Sequence, residues 1–216
     1  IADAVDIPVI ADADTGYGNP INVVRTVREY EKAGVAAIHI EDQTWPKRCG
    51  HMAGKSVIDA REMAGKIKAA VDARKDPDFL IIARTDAIAT HGFEQAVERG
   101  HLYAEAGADI LFIEAPVTKE QVERIPKLLS PHPLLLNLSP RTPNFSRDEI
   151  KTMGYAIAIY PGVCLAAAIT GCMEEVKRIK ETGRQCEFAD VVQSFLDLNT
   201  FLGVNDYDEL EQKYKI

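Results

Sequence analysis

Six short apolar runs recur along this 216-residue chain, and nearly every one stops at an acid, an arginine or an amide. They are "IPVIAD" (7–12), "AAIHIED" (36–42), "FLIIARTD" (79–86), "DILFIEAP" (109–116), "PLLLNL" (133–138) and "YAIAIYP" (155–161). Runs this short and this continuous predict strands buried on both faces, as in a parallel sheet. Between them lie segments with helical spacing, such as 22–34 and 93–109. Gly34 and Gly107 close these two segments, as glycine does when it ends a helix in a left-handed conformation. Strand and helix alternate, so the sheet is parallel with crossover helices.

The polar ends decide between two parallel-sheet folds. Asp12 and Asp14, Glu41 and Asp42, Arg84 and Asp86, Glu114, Asn137 and Tyr160 each terminate or closely follow a run. A doubly wound open sheet gathers its ligand mainly at one switch point. A (β/α)8 TIM-type barrel builds its site from the C-terminal ends of many strands. Almost every strand contributes here, which favours the barrel. Six strands are two short of eight, and the chain begins at Ile1 close to its first run. The expectation is a barrel lacking its first one or two N-terminal strands. It forms a single domain over 1–216, with 188–216 as a C-terminal helical segment.

A net charge of -8 argues against nucleic acid or an anionic membrane as the main partner. It leaves a small anionic substrate open, because a local cation cluster or a metal outweighs the net field. No apolar run is long enough to span a membrane, and no signal peptide is visible. The four cysteines, 49, 164, 172 and 186, form no C-x-x-C pair. A reducing compartment follows: the cytoplasm, or a mitochondrion or other organelle in a eukaryote.

The motifs carry the chemistry. In "ADADTGYG" (11–18), Asp12 and Asp14 stand two residues apart at a strand end, so both can face one side. They read either as a solvated turn or as oxygen ligands for Mg2+ or Mn2+. Glu41 adds a third carboxylate at the neighbouring strand's end, as part of a metal shell or as a turn cap. The loop "WPKRCGHMAGK" (45–55) places Cys49 beside Lys47, Arg48 and His51, which favours its thiolate. Gly50 and Gly54 make the loop deformable, and a thiol there can move a proton at a carbon centre. No second cysteine or paired histidine stands at zinc spacing. Cys164 and Cys172, in the apolar "GVCLAAAITGC", read as small buried residues. Arg84 can grip a carboxylate bidentately or form an internal ion pair with Asp86 or Glu114. Glu114 and Asn137 are further polar strand ends, and His39 reads as a satisfied core histidine.

Together "DADTGYG", "IEDQ", "KRCGH", "ARTDA", "YAEAGADILFIEAP" and "LLNL" occur in an order and spacing that resemble the isocitrate lyase/phosphoenolpyruvate mutase superfamily. The resemblance covers nearly the whole chain. It implies a Mg2+-dependent (β/α)8 barrel (Mn2+ also serving), assembled as a homodimer or homotetramer with a C-terminal helix exchanged between subunits. It implies that Asp12 and Asp14 are metal-site acids, with Glu41 joining directly or through water. Cys49 is then the general acid/base, and Arg84 and Glu114 are catalytic and substrate contacts. Asn137 and Pro161 are further substrate contacts, and Gly50 and His51 belong to the closing loop.

The Cys-Gly-His loop resembles the carbon–carbon lyase branch, methylisocitrate- or dimethylmalate-like. The expected reaction is retro-aldol or Claisen-type cleavage of a small 2-hydroxy-dicarboxylate, with a 2-oxo acid as product. Methylisocitrate lyases of this family use extra arginines after the last strand and near the C-terminus. Here Ala166 stands where the first is expected, and 188–203 holds no arginine. A smaller dicarboxylate follows. The alternatives are an oxaloacetate-hydrolysing or phosphonate-handling member, or a truncated barrel that only binds.

Overall fold

The computed structural model describes residues 1–50, 52–185 and 195–215. The described chain divides into two compact units, Ile1–Pro161 and Gly162–Ile216. The first is an α/β unit with six strands: β1 Ile10–Asp12, β2 Ala37–Glu41, β3 Leu80–Thr85, β4 Ile110–Ile113, β5 Leu134–Asn137 and β6 Ile157–Ile159. They lie in sequential order and every pairing is parallel, so the sheet is a curled half-barrel. Each expected strand is present, shortened at its ends where the chain turns.

Alternation along the strands sorts two apolar layers. Ile38, Ile40, Ile81, Ala83, Leu111, Ile113, Leu134 and Leu136 face one side and pack with the helices. Ala37, Ile82, Ile110, Phe112 and Leu135 form a second cluster on the other side, with Leu80, Ile157 and Ile159 against it. Both faces are buried, and that is why the runs read as continuous rather than alternating. The second layer continues upward into polar residues: His39 and Glu41 follow Ala37, Arg84 follows Ile82, Glu114 follows Phe112, and Asn137 follows Leu135.

The helices of this unit are α1 Pro20–Lys32, α2 Ala60–Ala73, the short α3 Ile88–His91, α4 Phe93–Glu105, α5 Lys119–Leu129 and α6 Arg147–Met153. Local chemistry fixes where they start. Asn19 with Asn22, Thr118 with Gln121, and Ser146 with Glu149 form reciprocal capping boxes at α1, α5 and α6. Gly34 and Gly107 follow α1 and α4 with positive φ, as the sequence predicts. Both helices end two to four residues before the amphipathic spacing does.

The second unit holds α7 Val163–Thr182, α8 Phe195–Phe201 and α9 Val204–Tyr214. Cys164 and Cys172, expected to be buried, are exposed, because α7 buries none of its residues. Positions 188–194 of the expected C-terminal helical segment lie outside the described residues. No helix among the described residues is long and apolar enough to cross a membrane.

One buried acid ties strands to helices. Asp42, fully buried, accepts from the Thr85 hydroxyl (2.7 Å), the Asp86 amide (2.9 Å), Arg99 Nη1 (2.9 Å) and the Tyr103 hydroxyl (2.7 Å). Replacing it leaves a buried guanidinium, two hydroxyls and an amide without their acceptor. Asp42→Ala is expected to cost about 3–5 kcal/mol in urea unfolding. A loss below about 1 kcal/mol would contradict this account of the core.

Candidate active site

Parallel register brings the polar strand ends together. Asp12 pairs with His39, Glu41 with Arg84, and Asn137 with Ile159. Glu41 is wholly buried, and among the described residues neither of its carboxylate oxygens has a hydrogen-bond partner. Its nearest cations are Arg84 Nη1 at 3.3 Å and Lys47 Nζ at 3.7 Å. Burial pushes the Glu41 carboxyl up to about 7, although Arg84 and Lys47 pull it down; Asp86 and Asp12 add to the rise.

Arg84 is the centre of the cluster. Its Nε and Nη2 donate to Asp86 at 2.9 and 3.2 Å, and Nη2 lies 4.0 Å from Glu114. Its guanidinium also lies over the Phe112 ring, 5.1 Å from the centroid. Burial alone would lower its pKa, but Glu114, Asp86 and Glu41 outweigh it and hold the guanidinium firmly charged. Asn137 Nδ2 donates to both Glu114 oxygens at 3.2 Å, which fixes the amide and leaves Oδ1 without a hydrogen-bond partner among the described residues.

A second group lies beside it. Asp12, His39 and Glu41 each offer a ligand atom, all within 4.8 Å of one another. Asp14 joins through Lys47, whose ammonium is 2.7 Å from Asp14 and 3.7 Å from Asp12. Strand alternation does not place Asp14 as expected, because β1 ends at Asp12. Asp14 instead takes a left-handed conformation (φ 48°), and its amide donates to Asp12 Oδ1 at 2.8 Å. His39 also departs from the expected satisfied core histidine. Its Nδ1 has no hydrogen-bond partner among the described residues and lies 3.7 Å from Asp12. Three carboxylates, two of their oxygens buried and unmatched, form a donor set that suits a hard divalent cation.

Loop residues 44–50 and 52–57 lie over this end of the sheet. Gln43 anchors its base by exchanging hydrogen bonds with Arg48 (2.8 and 3.0 Å) and by an antiparallel bridge to Val57. Lys55 Nζ donates to the Gly50 carbonyl and, at 2.9 Å, to Asp86. A Cβ at position 50 would stand 2.6 Å from Arg84 Nη2 and 2.7 Å from Glu114. Any larger residue there would force Arg84 or Glu114 to shift. Cys49, next to it, is exposed. His51 lies outside the described residues, and Pro161 is exposed two residues past β6.

The structure therefore gathers Asp12, Asp14 and Glu41 around one ammonium. It joins Arg84, Glu114 and Asn137 in one polar chain, with Gly50 seated on it. Sequence reasoning missed His39 as a member of the cluster. It also read Lys47 only as a neighbour of Cys49, and did not assign Lys55. The loop's two lysines carried a signal, since a basic loop beside several strand-end acids has somewhere to put its charge.

The profile of the phosphoenolpyruvate phosphomutase family matches residues 1–180. The chain belongs to the phosphoenolpyruvate mutase/isocitrate lyase superfamily. It is 46% identical to the 2,3-dimethylmalate lyase of Eubacterium barkeri, an alignment covering 99% of this chain and 74% of that protein. It is 44% identical to the 2-methylisocitrate lyase of Aeropyrum pernix, over 97% of this chain and 68% of the relative. A structure of phosphonopyruvate hydrolase with oxalate and Mg2+ superposes with a TM-score of 0.86 at 35% identity, covering 99% of this chain and 75% of the other. The expectation of an enzyme of carbon–carbon lyase type is borne out at the level of this superfamily.

Within the superfamily member, Asp86 offers a pH test. Burial alone would raise its carboxyl, but Arg84 and Lys55 outweigh it and hold it below the usual carboxylate range. A depressed folded pKa contributes stability above the unfolded value of about 3.9, and that stability is lost as pH falls through the folded value. Asp86→Asn is expected to be about 3 kcal/mol less stable at pH 7. The gap should hold down to about pH 4 and close below it. A gap independent of pH in urea unfolding would contradict the ion-pair account.

Proposed function

We propose that this chain is a divalent-metal-dependent lyase that cleaves the C2–C3 bond of a small 2-hydroxy-dicarboxylate of the 2,3-dimethylmalate type. The observation that carries the reading is the buried, unmatched Glu41 carboxylate standing with Asp12 and Asp14 under the cysteine-bearing loop. The identity with 2,3-dimethylmalate lyase supports the substrate class, as does Ala166 at the position where a larger tricarboxylate calls for arginine. On this reading the six-stranded arc is the larger part of an eight-stranded barrel, and its C-terminal helices serve a homodimer or homotetramer. The free thiols suit a reducing compartment such as the cytoplasm.

Asp12, Asp14 and Glu41 would hold Mg2+ or Mn2+, which when bound supplies Lewis-acid stabilisation of negative charge on substrate oxygens. The chain's own residues do the rest. Arg84, fixed by Asp86, presents a permanent positive charge to a substrate carboxylate. Asn137, oriented by Glu114, offers Oδ1 to a substrate hydroxyl. As the hydroxyl proton passes to solvent water, the C2 oxygen becomes a carbonyl and the C2–C3 bond breaks. The electron pair passes to C3 and its carboxylate as an enediolate. The Cys49 thiol then gives its proton to C3 and is reprotonated from solvent, while Gly50, seated on Arg84 and Glu114, holds the loop at the site. Substrate atoms are conserved between a 2-oxo acid and a monocarboxylate, with no co-reactant.

The test is 2-oxo acid or oxalate release from 2,3-dimethylmalate, 2-methylisocitrate, isocitrate, oxaloacetate and phosphonopyruvate, with Mg2+ and with EDTA. Metal-dependent cleavage of dimethylmalate is expected, abolished by EDTA and slowed at least about 10²-fold by Cys49→Ser. Oxalate release from oxaloacetate alone, or turnover only of phosphonopyruvate, would replace the reading with a hydrolase of the same superfamily. No turnover by folded, metal-bound protein would leave a binding barrel.

A further inference from the structure

The charge balance of the acid cluster holds a feature that the proposed reaction does not use. Lys47 Nζ sits 2.7 Å from Asp14 Oδ1, 3.7 Å from Asp12 Oδ2 and 3.7 Å from Glu41 Oε1. It is the cation that three converging carboxylates require. The ammonium lies among the acids within ion-pair distance of each. A divalent cation bound by the same oxygens would stand about 2.0–2.1 Å from them. Two like charges cannot share that space without strong repulsion.

Lys47 is also tethered. It lies two residues before Cys49 and two after Trp45, in a loop held at its base by Gln43 and at its far side by Lys55. An ammonium that leaves the acids must carry this stretch of backbone with it. We propose that Lys47 is a built-in counter-ion that competes with the divalent cation for Asp12, Asp14 and Glu41, so that cation entry expels it and resets the loop that carries Cys49. Lys47 acts through the loop and is a positioning residue. This rests on the reading of the three acids as the cation site.

The experiment separates the two claims. Mn2+ is titrated into wild-type protein, Lys47→Met, Lys47→Gln and Glu41→Gln. Free Mn2+ is read by electron paramagnetic resonance, and the loop by fluorescence of Trp45, the one tryptophan of the chain and largely exposed. Both Lys47 variants are expected to bind Mn2+ at least about tenfold more tightly than wild type. The wild-type Trp45 signal should change with the same midpoint as binding, and that change should be lost in both variants. Equal or weaker binding by the Lys47 variants overturns the proposal. So does tighter binding with a silent wild-type Trp45, which would leave Lys47 as a mere nearby charge. If wild type binds no Mn2+, or Glu41→Gln binds it as wild type does, the site reading itself fails.

Discussion

Glu41 and Arg84 stand side by side at the ends of two parallel strands, and the chemistry of the site depends on that pairing. The register puts a buried carboxylate 3.3 Å from a buried guanidinium without a hydrogen bond to complete the match. The neighbouring Asp42 shows the alternative. It is as deeply buried, but four donors satisfy it, and it serves the core. Two adjacent acids thus divide the work according to which face the strand gives them. One is spent on stability, and the other is left short of partners and open to a cation.

Much of the fold was legible because its signals are local. Continuous apolar runs, capping boxes and glycines at helix ends each reflect chemistry within a few residues, and the structure keeps all six runs as strands. The site was legible at its strand ends, since parallel strands deliver their last polar residues to one edge. Legibility failed where three-dimensional context decides. Asp14 reaches the cluster through a left-handed turn rather than strand alternation. His39 looks like core in the sequence and stands beside Asp12 in the structure. Cys164 and Cys172 lie among apolar letters on a helix that buries nothing.

The loop links these observations to function. Its glycine at position 50 exists because Arg84 and Glu114 leave no room for a Cβ. Its lysines answer acids: Lys47 those of β1 and β2, Lys55 that of Asp86. A basic, glycine-bearing loop over an acid-rich sheet end is held by charge as well as by shape. The proposed competition at the acids would act on its position. On the proposed reading, that loop connects the candidate cation site to the placement of the thiol in one structural element.

The central claim is that the site breaks a carbon–carbon bond and returns a proton to carbon from the loop. The most direct measurement is turnover of 2,3-dimethylmalate in D2O with Mg2+, with mass spectrometry of the propionate formed. The account requires a single deuterium at the carbon next to the propionate carboxyl, with pyruvate released in equal amount. Propionate without deuterium, or substrate consumed without pyruvate, would contradict it.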